Sequence, residues 1–355
     1  MQAFRYISYH YLRYFVIIMF ALILFSVGFD YMEHSNSMPK SANLVLIYLM
    51  FKVFFAIDML LPLSLIFAMI ATKVFMIRSN ALVALFSLGY SRIDILKPFV
   101  VVATTIITIY VALHATPFAR ADEYARNISQ SSTYIQPTSD LFFTFEDKFV
   151  YFGRLYPLQE RAENIRVFQM EGQELKEVLV ADSAYYYNGS WNIELASSIE
   201  KPVDDSFEGG GIVIEKHEHF ELLRGFRPKI LDQVYVGKVN FTIFDAIDAL
   251  ILFTDETVNV DKIKSALYHI FIYPLFVPSL IVIIFFFVPV SSRFLNVTIF
   301  SFGAILATLA TWAILFMLSE LSNNKMIPSE AGIVLPVILL FMASIYQWHR
   351  HRVTG

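Results

Sequence analysis

Apolar residues dominate six long blocks of this chain, three on either side of a stretch with a different rhythm. The first block, Tyr14 to Tyr31, is interrupted only by Ser26, Gly28 and Asp30. It is longer than a signal-peptide core and has no clear small-residue cleavage site, so it predicts a retained membrane helix. The second runs from Leu44 to Ile77. Wholly helical, it would extend roughly 50 Å against a hydrocarbon core of about 30 Å. With Lys52 and Asp58 in its first half and Pro62 near its middle, it predicts an interfacial helix leading into a span kinked at Pro62. Leu96 to Leu113, Ile263 to Val288, Val297 to Ser319 and Gly332 to Trp348 complete the set.

Between the third and fourth blocks the pattern shortens. Leu141 to Phe145, Phe149 to Phe152, Ile165 to Met170 and Leu175 to Tyr187 read as strands bounded by turn residues. Asn188-Gly189 then separates Tyr187 from the run Ser190 to Leu195, the strongest short hairpin signal. Gly209-Gly210-Gly211 precedes one more strand, Ile212 to Leu222. The chain therefore divides into 1–113 with three spans, 114–262 with a β domain on helical stalks, and 263–355 with three more spans.

Between the second and third blocks lies a short punctuated helix, 79–89. Ser79 or Asn80 caps its start, and Gly89 fits the left-handed position that ends a helix. Ser91 with Asp94 three residues on then forms a carboxylate capping box for the next helix. Leu82, Leu85 and Phe86 share one face at helical spacing, a candidate docking surface; an ordinary interfacial turn would show the same pattern.

Composition sharpens this picture. The 355 residues are 57% hydrophobic and 16% charged, too apolar for an ordinary soluble domain. The net charge of −4 conceals 25 acidic and 14 basic residues between His114 and Lys262, a local net of −11, flanked by basic termini. That balance excludes a nucleic-acid partner. Without cysteine there are no disulfides and no thiolate chemistry. Arg5, Arg13, Lys73, Arg78, Arg92, Lys97, Arg293, Arg350 and Arg352 fall on one side of the spans, against Asp94 alone. The short loops opposite hold Lys40 and Lys325 against Glu33, Glu320 and Glu330. The excess of basic residues predicts cytoplasmic termini, a cytoplasmic 79–91 helix and a β domain outside.

Catalytic signals are missing. There is no phosphate-binding loop with its lysine, no H-E-x-x-H and no G-x-S-x-G. His217 and His219 share a strand face but have no evident third metal ligand, which fits an exposed strand better than a metal site. Asp58 and Lys52 are candidate buried charges of an ion path, although six residues apart they do not share a helix face.

These residues resemble a known family. Three spans, an inserted β domain and three spans at this length are similar to the LptF/LptG permeases of lipopolysaccharide export. Leu82-Val83-Ala84-Leu85-Phe86-Ser87-Leu88-Gly89-Tyr90-Ser91 resembles that family's coupling-helix signature. Asn324-Lys325-Met326-Ile327-Pro328 with Leu335-Pro336 resembles the opening of its last span, and Arg5-Tyr6 fits its start. Phe149-Val150-Tyr151, Ile165-Arg166-Val167-Phe168 and Trp191 look more like the G branch.

The resemblance implies a six-span inner-membrane α-helical protein with a periplasmic β-jellyroll-like domain between helices 3 and 4. It implies a second LptF/LptG-type permease, two copies of an LptB-like ATPase that bind the ATP and magnesium, and an LptC/LptA-like bridge. The permease itself would be non-catalytic, with no cofactor or metal of its own. Lipopolysaccharide would enter from the outer leaflet and leave through the β domain, with the first and fifth spans as lateral gates. Arg78, Ser79, Asn80, Ala81, Leu82, Leu85, Phe86, Gly89 and Arg92 would form the ATPase-coupling element. Lys40, Lys52, Lys325, Phe25, Phe29 and Phe316 are candidate lipopolysaccharide contacts. Two departures stand out. Ala81 occupies the family's usual glutamate position, leaving Arg78 or Arg92 to supply a docking charge. Asp30, Glu33 and His34 stand where G-branch proteins carry lysines. The domain's local charge of −11 would repel an anionic glycolipid from its outer surface, so its apolar interior would do the carrying. An ion-coupled secondary transporter and a mechanotransmission or sensor protein are alternatives on the same layout.

Overall fold

The computed structural model describes residues 2–35, 38, 40–131, 138–145, 148–156, 159–171, 174–200, 213–222, 224, 242–252, 260–287, 296–324 and 326–353. They form two units: Met1–Ser132 with Asp261–Gly355, which is helical, and Thr133–Val260, which holds the sheet.

The helical unit contains six helices long and apolar enough to cross a membrane. The first three are α1 (Gln2–His34), α2 (Ala42–Arg78) and α4 (Arg92–Leu113), with α3 (Ala81–Ser87) between α2 and α4. After the short α5 (Ala121–Ser131) and the inserted sheet comes a fourth span in two pieces. These are α7 (Val260–Phe271) and α8 (Phe276–Phe287), joined by the 3-10 turn Tyr273–Leu275 around Pro274. The fifth is α9 (Val297–Asn323); the sixth enters through the π turn Glu330–Val334 and continues as α10 (Leu335–Val353).

The second block, expected as an interfacial helix leading into a span, is one continuous 37-residue helix that includes Pro62. Proline there removes one backbone hydrogen bond, to the Asp58 carbonyl. The loss is tolerated because Leu61, Pro62, Leu63, Ser64, Leu65 and Ile66 are all buried by neighbouring helices. The stalk boundary also moves. Residues 114–131 belong to the helical unit, because the 3-10 turn Pro117–Arg120 and α5 lie along α2: Phe51 meets Tyr124 of α5 at 5.1 Å between ring centroids, and Phe54 meets Phe118 of the turn at 6.0 Å.

Within lipid there is no hydrophobic drive between helices, so ring packing and buried polar contacts hold them. The Tyr11 hydroxyl of α1 donates to the Leu65 carbonyl of α2 at 3.0 Å, and its ring meets Phe99 of α4 at 5.2 Å. Phe99 meets Phe285 of α8 at 6.0 Å. Lys73 of α2, which the sequence assigns to the exposed basic side, is buried instead. It donates to the Phe285 carbonyl, lies 3.8 Å from that ring's centroid, and has no carboxylate partner among the described residues. Four helices thus converge on one cluster.

The inserted sheet has six antiparallel strands in chain order: β1 (Thr138–Phe145), β2 (Lys148–Tyr156), β3 (Arg161–Glu171), β4 (Glu174–Tyr187), β5 (Ser190–Glu200) and β6 (Val213–Leu222). The helix α6 (Ile243–Leu252) follows, its start capped by Thr242 and Asp245. Asn188 and Gly189, at φ 53° and 82°, make the two-residue turn between paired Tyr187 and Ser190, as the sequence predicts. The Gly209–Gly211 run lies outside the described residues.

The sheet is creased. In all five ladders the pairing lapses at one level, through Asp140, Gly153, Asn164, Asp182 and Glu194. Asp140 and Asn164 there are left-handed, at φ 57° and 53°. The Tyr151 hydroxyl donates to the Asp140 carboxylate at 2.6 Å, which raises the tyrosine's pKa above its ordinary value. Across the crease the buried positions step by three rather than two: Phe152 to Leu155, Ile165 to Ala162, Ala181 to Ala184, Ala196 to Ile193. The inner face therefore stays inside while each strand bends.

Phe152 and Trp191 measure the bend. Register carries Phe152 through Ile165 and Ala181 to Ala196 on β5, three strands and about 14 Å away in a flat sheet. Trp191 lies roughly 17 Å further along β5. Yet the two rings meet at 5.1 Å. The sheet is folded over itself, with Val150, Phe152, Leu155, Ile165, Val167, Leu179, Trp191 and Ile193 buried inside.

Candidate functional site

The coupling stretch is built by local chemistry at its far end and by tertiary packing at its near end. Gly89, at φ 87°, donates to the Phe86 carbonyl, and Tyr90 donates to Leu85, closing α3 with a Schellman motif. Ser91 and Asp94 then exchange hydrogen bonds as a complete capping box, and Lys97 pairs with Asp94 at 2.8 Å. The expected N-cap is not formed. Asn80 is left-handed at φ 55° with no side-chain cap, and the Ser79 hydroxyl donates back to the Phe75 carbonyl at 2.8 Å.

The apolar face of α3 turns toward the spans. Leu82 and Leu85 are 2% and 9% exposed and belong to the core of the spans, with Ala81 and Phe86 packed against that core. An amphipathic helix at a bundle's end turns its apolar stripe toward the bundle first. The outward surface is Val83 and Leu88, 46% and 73% exposed, beside the exposed Arg78 and Arg92. Since no acidic residue occurs between Asp58 and Asp94, this surface is apolar with a basic edge.

At the end of the unit opposite α3, the candidate lipid contacts separate. Lys52 is half-buried between two carboxylates, Asp30 of α1 at 3.0 Å and Asp122 of α5 at 3.4 Å. The Tyr48 hydroxyl donates to Asp30 at 2.5 Å, and Arg126 pairs with Asp122 at 2.9 Å. A lysine so paired clasps three helices together. The sequence missed this because Asp122 is 70 residues away. Lys40 is exposed in the α1–α2 connection, and Lys325 lies outside the described residues. Phe25 and Phe29 stack on exposed α1, and Phe316 stacks on Trp312 of α9. No ring contact joins the two pairs among the described residues.

A second buried cluster lies further along α2. Asp58 accepts from the Tyr110 hydroxyl at 2.7 Å and pairs with His114 Nε2 at 3.1 Å, while His114 Nδ1 sits 3.0 Å from the Tyr110 carbonyl. Burial opposes the charged form of His114, but its hydrogen bond and attraction to Asp58 outweigh that, so its pKa is raised. In the sheet, His217 lies 4.0 Å from Glu215, and no group of three metal-binding side chains occurs among the described residues.

Neither unit therefore presents a catalytic constellation among its described residues; what they present is an anchored helix with an outward apolar edge, and a folded sheet with an apolar interior. No curated protein matches the chain. The family model described as "Lipopolysaccharide export system permease LptF/LptG" matches residues 5–350. That match reaches from the first span to the sixth and takes in the sheet between them, so the chain belongs to the LptF/LptG family of lipopolysaccharide export permeases.

Proposed function

We propose that this chain is a permease subunit of an ABC-type exporter in the inner membrane. It takes lipopolysaccharide from the outer leaflet, passes it through the folded β unit and hands it to a periplasmic LptC/LptA-like bridge. A second LptF/LptG-type permease stands beside it, and two copies of an LptB-like ATPase bind and hydrolyse the ATP. Both termini and α3 face the cytoplasm in this reading, which the distribution of Lys and Arg supports. Phe149-Val150-Tyr151, Ile165 to Phe168 and Trp191 favour the G-like branch over the F-like one.

The observation that carries the reading is the split character of α3. Leu82 and Leu85 anchor it in the span core, while Val83 and Leu88 point away, so force on its outer face reaches the spans directly. An amphipathic helix seated in a partner's groove transmits movement in this way.

The test is a detergent pull-down of the full chain from its native membrane, read by mass spectrometry, with Leu88→Asp and Leu85→Asp in parallel. Recovery of a second permease and an ATPase, with the ATPase lost in Leu88→Asp while the chain stays folded, supports the reading. Leu85→Asp places a charge in the core and is expected to lose folded protein. A chain that comes down alone in every case overturns the shared-motor reading. The ion-coupled alternative rests on Asp58, and export that survives Asp58→Asn removes it.

A further inference from the structure

The inner face of the β unit has a floor and a filling. Ala162 of β3, Ala181 and Ala184 of β4 and Ala196 of β5 are buried and linked by register, Ala162 to Ala184 and Ala181 to Ala196. A run of Cβ methyl groups across the middle of a folded sheet leaves a trough, and close-packed interiors do not leave troughs empty. Here aromatic side chains fill the interior. Phe152 and Trp191 meet from opposite sides of the crease at 5.1 Å. Phe143 adjoins Phe152 at 5.6 Å, and Tyr186 adjoins Trp191 at 5.7 Å. Phe152 and Trp191 are no more than 1% exposed.

We infer that Phe152 and Trp191 form a displaceable aromatic plug over this alanine floor, which the saturated acyl chains of the cargo must part in order to pass. The inference rests on the proposed passage of lipid through the β unit and names the residues that control it. An apolar trough standing open in water would wet or attract other apolar surfaces. A plug keeps it dry between cargoes. The two rings come from β2 and β5, which are not neighbours in the sheet, so they can separate by opening the crease without breaking a ladder. A slender alkyl chain suits a floor of methyl groups, whereas the polar headgroup does not, which confines the site to the hydrocarbon part of a lipid.

Because the chain has no cysteine, Phe152→Cys with Trp191→Cys places its only thiols across the plug. In cells that depend on this chain, a short bismaleimide applied from outside is expected to stop delivery of lipopolysaccharide to the surface in the double variant. Either single variant, treated alike, should keep delivery. Continued delivery by the cross-linked double variant overturns the plug. A photoreactive phenylalanine at Tyr186 reports entry separately. Lipopolysaccharide adducts there, with delivery unaffected by the cross-link, refute the plug and leave the passage reading standing; no adducts refute the passage reading itself. A second measurement keeps both rings intact. With Trp312→Phe and Trp348→Phe, Trp191 is the sole tryptophan of the purified full chain. Lipid A with brominated acyl chains should quench its fluorescence, and a brominated phospholipid should not. Absence of quenching by the brominated lipid A overturns the inference.

Discussion

Replacing Gly153 with alanine tests the crease through the sign of its effect. The added Cβ would stand 2.7 Å from the Asn164 Cβ and 3.4 Å from the carbonyl oxygens of Asn164 and Glu163. Real Cβ atoms do not approach so closely, and the obstructing atom is fixed to a left-handed backbone rather than to the end of a flexible side chain. Overpacking of this kind costs about 1–3 kcal/mol. Gly153 itself is not left-handed, so without the clash alanine would stabilise the fold by about 0.4–1 kcal/mol through the unfolded chain. The expected net effect is destabilisation by about 1–2 kcal/mol. Asn164→Gly should rescue it, since it removes the obstructing Cβ and suits the positive φ. Hydrogen exchange of peptides from β2, β3 and β4 in the full chain reads the opening free energy of this region alone. Faster exchange in Gly153→Ala, largely restored in the double variant, is the expected pattern. Unchanged or slower exchange in the single variant, or no rescue, would show that the strands do not cross at this level as described.

Three further outcomes follow from the helical unit. Lys52→Met leaves two partly buried carboxylates facing each other; because Asp30 keeps Tyr48 and Asp122 keeps Arg126, the loss should be about 1–3 kcal/mol, partly recovered by Asp30→Asn, in unfolding from mixed micelles. Gly89→Ala meets no atom but must hold φ 87°, so it should cost about 1 kcal/mol and fray the end of α3, seen as faster exchange at Gly89 and Tyr90. The raised pKa of His114 makes its contribution complete below its ordinary value and lost as pH rises through the raised one; thermal stability should fall across that window, and His114→Gln, which removes the ionisable partner of Asp58, should flatten the fall.

What the sequence discloses follows the range of the interaction. The Asn188-Gly189 hairpin, the Gly89 terminus and the Ser91–Asp94 box are legible because a few adjacent residues decide them. The six spans are legible because hydrocarbon thickness imposes a length. Periodicity gave α3 an apolar face but not its direction, since Leu82 and Leu85 could face the bundle or a partner equally well until the bundle was in place. The Lys52 clasp was not legible because its partners come from helices distant in sequence. The continuity of α2 through Pro62 was hidden for the same reason, as burial among neighbouring helices offsets one missing hydrogen bond. The crease had a faint signal: Asp140 and Asn164 belong to the few residue types that tolerate a left-handed backbone, and Gly153 is registered between them. Only the pairing of the strands shows that they share one level.

The strand order of the inserted unit bears on how the chain is made. Every strand pairs with its immediate neighbour in sequence, so each closes only a short loop as it emerges, and the sheet can be completed in the order of synthesis. The helical core is the opposite case: Lys73 and Phe285, joined at its centre, are 212 residues apart. Its first three spans must wait for α8, with Lys73 lacking its carbonyl partner, until the whole insertion has been synthesised. Low contact order in the middle limits how long the insertion itself stays unfolded during that interval. A mutation that slows the meander would then appear as failed membrane assembly.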